Sequence, residues 1–200
     1  MKRNTRQEIL SAAKKLFAER GYNAVSVQDI AGALGISKGN LTYYFKKKEH
    51  IIEAIIAESP GGPPSRAPRN FAELDYFLLD IQQVVQSNAY YFWHITQLAQ
   101  LSPKIHEKQK NIYRTNVALL TGAFETFLKA GLIRKEEFPG EFRRVIDLIL
   151  LSSIYWLPFC ALKQEPAEYR KHAWGILYPL MTRRGKDAFR ADTGIDLRGE

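Results

Sequence analysis

Residues 26–52 read SVQDIAGALGISKGNLTYYFKKKEHII, and this stretch decides the fold. Ser26 followed three positions later by Asp29 is a reciprocal helix cap, and it opens a short helix with Val27, Ile30, Ala31 and Leu34 on its inner face. Gly35-Ile36-Ser37 breaks that helix, and Ser37 caps another, anchored inward by Leu41 and Phe45 one turn apart. Two short capped helices joined by a three-residue turn containing glycine are the sequence form of a helix-turn-helix.

The second helix has two distinct faces. With Leu41 and Phe45 inward, 100° per residue puts Gly39 and Tyr43 nearly opposite, with Asn40 and Thr42 on the flanks. Hydrogen-bonding side chains beside a residue with no side chain suit the edges of base pairs in a major groove. Glycine inside a helix costs about 1 kcal/mol relative to alanine, so Gly39 needs a reason. The helix N-terminus at Ser37 and Lys38 offers free amides to a phosphate, and Lys46, Lys47 and Lys48 prolong the positive strip.

Charge agrees with that reading. The 200-residue chain carries +8, and its first 50 residues hold ten Lys/Arg against four acids. The surplus therefore sits where the helix-turn-helix sits, as an anionic partner requires. On the N-terminal side, Thr5 and Glu8 form another capping-box pair ahead of Ile9, Ala13, Leu16 and Phe17, and Gly21 ends that helix. On the C-terminal side, Ile51, Ile52, Ile55 and Ile56 mark a fourth helix ending near Glu58.

The span from Thr5 to about Ala57 resembles the DNA-binding region of the TetR family of transcriptional regulators. The resemblance rests on the Asp-Ile-Ala core, the Gly-Ile-Ser turn, Lys-Gly-Asn-Leu, and Tyr-Tyr-Phe followed by Lys-Glu. It implies a homodimer that places its two recognition helices in successive major grooves of a palindromic double-stranded DNA operator. Carried over by position, it implies base or backbone contacts from Lys38, Gly39, Asn40, Thr42 and Tyr43. It also implies phosphate contacts from Ser26, Ser37, Tyr44 and Lys48. Thr42 is a departure, since many members carry an aromatic there.

The expected architecture is all-α: an N-terminal three-helix helix-turn-helix DNA-binding domain (1–58), then a Pro/Gly-rich loop (59–69). A C-terminal helical bundle for ligand binding and dimerisation (70–184) and a loose tail (185–200) complete the chain. Helices are expected near 70–87, 88–102, 103–130, 140–163 and 166–184. The run Ala89–Leu101, AYYFWHITQLAQL, and the aromatics Tyr113, Phe124, Tyr155, Trp156 and Phe159 suit either a packed core or a pocket. TetR-like proteins hold an effector among their middle helices. The resemblance therefore implies a small apolar or aromatic ligand touching some of Tyr91, Trp93, His94, Tyr113, Phe124 and Trp156. The alternative is a DNA-binding protein, sequence-specific or architectural, with no effector.

Apolar positions at Phe142, Ile149, Tyr155 and Trp156, then Trp174, Leu177, Leu180 and Met181, exceed what one core needs, and a second copy is the expected cover. Pro158, Gly175 and Pro179 are expected to bend or interrupt their helices. The run Val145–Leu162 is long enough to span a bilayer, but Asp147, Ser152, Ser153 and Pro158 favour a buried helix. One cysteine, Cys160, excludes an internal disulfide, and no signal peptide is legible, so a cytoplasmic location is expected. Four scattered histidines without metal-ligand spacing, and no phosphate loop or nucleophile motif, point away from an enzyme, a metal or a cofactor.

Overall fold

Helical periodicity runs through almost the whole chain, and the computed structural model, which describes residues 5–58 and 65–197, is correspondingly all-α. Eleven α-helices occur among the described residues, with one 3-10 turn and no strand beyond a single bridge between Ile133 and Met181. They fall into two units: residues 5–58 with 88–109, and residues 65–87 with 110–197.

In the first unit, α1 (Thr5–Arg20), α2 (Val27–Ala33), α3 (Lys38–Tyr44) and α4 (Lys48–Glu58) surround a core of Ile9, Ala13, Phe17, Ile30, Leu41, Ile51 and Ile52. Gly21 and Gly35 close α1 and α2 at φ +79° and +64°, a left-handed turn that side-chain-bearing residues resist. Thr5 already lies within α1, so the cap expected of it is not formed from outside the helix. The expected helix 88–102 divides at Trp93 and His94 into α6 (Ala89–Phe92) and α7 (Ile95–Leu101). Tyr90, Leu98 and Ile105 pack into the same core as α1–α4, so residues 88–109 belong with the N-terminal helices rather than with the C-terminal bundle.

The second unit holds α5 (Phe71–Ser87), most of α8 (Pro103–Lys129), α9 (Glu141–Lys163), α10 (Tyr169–Leu177) and α11 (Arg183–Thr193). Within the Pro/Gly-rich loop, residues 59–64 lie outside the described residues. The described end is ordered by charge: Arg66 and Arg69 both pair with Glu73, and Asn70 Oδ1 caps α5 by accepting from the Glu73 amide at 2.8 Å. Helix α9 turns Ile146, Ile149, Leu150, Ser153, Trp156 and Cys160 inward, and Pro158 sits inside it without ending it. It is long and apolar enough to cross a membrane by composition, with a third of its most apolar window buried.

Three expectations are corrected at the C-terminal end. The helix expected over 166–184 stops at Leu177, because Pro179 lies in the 3-10 turn Tyr178–Leu180. Of the residues expected to form a loose tail, 185–200, those from 185 to 193 instead form most of α11. Thr182 caps α11 by accepting from the Gly185 amide at 3.1 Å, and Phe189 is buried against Trp174 at 4.8 Å between ring centres. Trp174, Leu177, Leu180 and Met181, expected to cover a partner, are all consumed by this internal packing. Exposed apolar side chains line up on α9 as a stripe of Leu148, Leu151, Tyr155, Phe159 and Leu162, while Tyr76, Ile112, Tyr113 and Phe138 are exposed elsewhere in the same unit.

Candidate nucleic-acid interface

The surface expected to meet DNA is built by two caps. Ser26 Oγ accepts from the Asp29 amide at 3.1 Å, and the Asp29 carboxylate accepts from the Ser26 amide at 2.7 Å. The Ser26 hydroxyl also donates to that carboxylate, and this bond first, then the Ser26 amide's, holds the Asp29 carboxyl below its usual range. Ser37 Oγ accepts from the Asn40 amide at 3.1 Å and starts α3. The turn between them is tied by Ile36 N donating to Ala31 O at 3.1 Å and Gly35 N to Gly32 O at 3.1 Å. Both serines expected at phosphates therefore already serve as caps, although each residue stays exposed.

Leu41 and Phe45 are buried, which rolls the opposite face of α3 outward. Lys38, Gly39, Asn40, Tyr43 and Tyr44 are exposed, Tyr43 to 85%. Its ring meets that of Tyr44 edge-on at 5.3 Å between centres, so the two rings hold one another in place. Thr42 is half-buried and donates its hydroxyl to Gly39 O at 3.0 Å, keeping that group within the helix. Gly39 has no internal reason to be glycine. Its φ is ordinary, and a Cβ there would meet nothing closer than Ser37 Oγ at 3.8 Å. The space it leaves opens outward.

Lys46 and Lys47 are exposed beyond the helix, whereas Lys48 is turned inward. Its ammonium donates to the carbonyl oxygens of Tyr22 at 2.8 Å and Val25 at 2.9 Å. Burial depresses its pKa, partly offset by Glu49. The sequence placed Lys48 on the positive strip because nothing local shows that carbonyls more than twenty positions away lie within its reach.

The six residues expected at a ligand divide between the two units, three in each. In the first, Tyr91 accepts from Gln109 Nε2 at 2.9 Å, Trp93 is half-exposed, and His94 lies beside Gly21. In the second, Tyr113 donates to Asp147 at 2.9 Å and accepts from Arg143 at 2.6 Å. Phe124 meets Phe142 edge-on at 5.4 Å, on the floor of a groove of about 620 Å³. Trp156 stacks on His172 at 4.3 Å, and its buried indole N–H has no acceptor among the described residues. No cluster of three or more metal-ligating side chains occurs among the described residues.

Comparison with known proteins bears on the same segment. Residues 9–55 match the sequence profile of the bacterial regulatory proteins of the tetR family. Over 53 residues the chain is 42% identical to the transcriptional repressor KstR2 of Mycolicibacterium smegmatis, a span of 26% of each protein. Over 53 residues it is 43% identical to the transcriptional regulator QacR of Staphylococcus aureus, 26% of this chain and 28% of that one. These matches cover about a quarter of the relatives' length. A TetR-family regulator from Marinobacter aquaeolei superposes with a TM-score of 0.83 at 20% identity, covering 94% of this chain and 97% of that one. A protein from Saccharomonospora viridis, solved in complex with choline, does so at 0.66 and 20% identity, covering 90% and 98%. At such identities the likeness is one of fold.

Proposed function

We propose that this chain, whose N-terminal region belongs to the tetR family of bacterial regulatory proteins, is a DNA-binding regulator of transcription, a repressor working as a homodimer on a palindromic operator. One observation carries the reading: α3 presents Lys38, Asn40 and Tyr43 around a Gly39 that nothing inside the protein requires. An exposed helix with polar groups and a gap for close approach suits a major groove, and exposed Lys46 and Lys47 suit the flanking phosphates. Dimerisation is assigned to the exposed stripe of α9, with recognition helices about 34–36 Å apart on DNA. The location is cytoplasmic, and the regulatory role needs no catalytic group.

Selecting bound sequences from a random duplex pool tests this. A palindromic consensus, with affinity falling steeply as salt rises, is the expected result. Binding of all sequences alike would instead mark an architectural protein.

An effector is the second part of the proposal. A small apolar or aromatic ligand that touches Tyr113, Phe124 or Trp156 in one unit, or Tyr91, Trp93 or His94 in the other, would lower operator affinity. The buried, unpaired indole N–H of Trp156 favours a ligand carrying a hydrogen-bond acceptor. The ligand must bind the non-reading state better, and DNA must weaken its binding by the same factor. Trp93 and Trp156 fluorescence reports binding. A ligand that quenches them and leaves operator affinity unchanged would remove the switch.

A further inference from the structure

One ammonium bonds two backbone carbonyls of the segment that leads into α2. Lys48 Nζ donates to Tyr22 O and Val25 O and lies 4.2 Å from the centre of the Tyr22 ring. Tyr22 is 2% exposed and packs on Phe17 at 5.2 Å, and Val25 is buried. The next residue, Ser26, is the N-cap of α2. The two carbonyls precede the helix and take no part in its hydrogen-bond ladder, so their satisfaction falls to a side chain. An ammonium provides three N–H groups from one point, and here two of them close the gap.

Lys48 is also the first residue of α4, which is fastened further along. Glu53 accepts from Ser102 Oγ at 2.6 Å and pairs with Lys104 at 3.4 Å, and Lys108 donates to Ile56 O. The segment between α1 and α2 is gripped from another side as well, where Asn23 Nδ2 donates to Gln97 Oε1 at 3.1 Å. Lys48 therefore links a helix tied to residues 102–108 with the cap of α2, and the bonded turn 31–36 links α2 with α3.

We propose that Lys48 is a positioning residue for DNA reading: it sets the place of α2, and through the turn that of α3, and does not serve as a phosphate contact. This rests on the DNA-binding reading above. It separates Lys48 from its neighbours Lys46 and Lys47, whose exposed ammonium groups are the phosphate contacts of the strip.

The two roles differ in their salt dependence. Removing a phosphate contact weakens binding on every sequence and lowers the slope of log K against log salt by about one. Removing a positioning group misplaces α3 and costs discrimination while the phosphate count stays. The experiment titrates full-length wild type, Lys48→Met and Lys47→Met with the selected operator and with a scrambled duplex over a range of salt. For Lys48→Met the expected result is a loss of about tenfold or more on the operator, little change on the scrambled duplex and an unchanged slope. For Lys47→Met it is an equal loss on both and a lower slope.

Lys48→Arg keeps the charge and serves if the Met variant does not fold. A phosphate contact accepts arginine at full affinity, whereas a site shaped for a compact ammonium under two carbonyls does not accept the planar guanidinium, and operator affinity falls. A lowered slope for Lys48→Met, or full affinity for Lys48→Arg, overturns the proposal. So does a lowered melting temperature with the operator affinity of the folded fraction intact, which would mean a purely structural role. If the wild type selects no sequence, the DNA-binding reading fails first, and the wild-type arm shows it without any variant.

Discussion

Gly185 lies over the backbone carbonyl of Leu132 so closely that a Cβ on it would sit 1.9 Å from the oxygen. The contact fixes the start of α11 to the segment after α8, beside bonds from Thr182 N to Leu132 O at 3.0 Å and from Arg134 N to Leu180 O at 2.8 Å. Gly185→Ala must push helix and carbonyl apart, at a cost of about 1–3 kcal/mol. Urea unfolding checks it, with Gly175→Ala as the contrast. A Cβ at Gly175 meets nothing within 4 Å, so that change stabilises the isolated fold by up to about 1 kcal/mol.

Gly39→Ala should separate stability from function. The helix gains up to about 1 kcal/mol, because no neighbour obstructs the new methyl. Operator affinity falls, since the methyl occupies the space of closest approach to the base edges. Melting temperature and operator binding should therefore move in opposite directions. A variant that melts higher and binds as well as wild type would show that the groove does not approach Gly39.

Asp75 holds two partners across the second unit. Its carboxylate takes a forked pair of bonds from Arg170, one at 2.6 Å, and one from the buried indole of Trp174 at 2.8 Å. Asp75→Ala strands both donors and should cost roughly 3 kcal/mol, most of it the cost of orphaned groups rather than of a lost attraction. Chemical denaturation measures it. A cost below that of an ordinary surface substitution would show that the clamp is solvated.

Acid should loosen the second unit through Glu141. Arg134 and the Glu137 amide hold this buried carboxyl down at about 2. Because the folded value lies below the unfolded one, its stabilisation is complete above the ordinary carboxylate range near 4.5. That stabilisation is lost as pH falls toward about 2. Glu73, pulled down by Arg66 and Arg69, acts in the same direction. Melting followed from pH 6 to 2 should show a drop that Glu141→Gln flattens, since the amide does not titrate.

The apolar stripe of α9 should carry self-association. Leu151 stands at its centre, more than half exposed, between Leu148 and Tyr155. Leu151→Glu should give a monomer by light scattering at micromolar concentration and weaken operator binding, because two linked half-sites become independent. A variant that stays dimeric would move the interface off this helix.

The fold class, the start of α3 and its inward face were legible in the sequence alone, and the reason is range. Ser26 with Asp29, Ser37 with Asn40, and Leu41 with Phe45 act over three or four residues, a separation that helix geometry fixes without further information. Tertiary structure decided what depends on partners far along the chain. Lys48 reads as one of three equal lysines until Tyr22 and Val25 fold back beneath it. The charged stretch 185–193 looks like a tail because its buried residues are Gly185 and Phe189, whose partners Leu132 and Trp174 are distant in sequence. Trp174 reads as surplus until Phe189 of α11 packs on it, and Tyr90 and Leu98 read as part of the second unit until they join the core of α1–α4. Periodicity says that a helix has a buried face. What that face meets depends on which other faces remain uncovered, and that is a property of the folded chain.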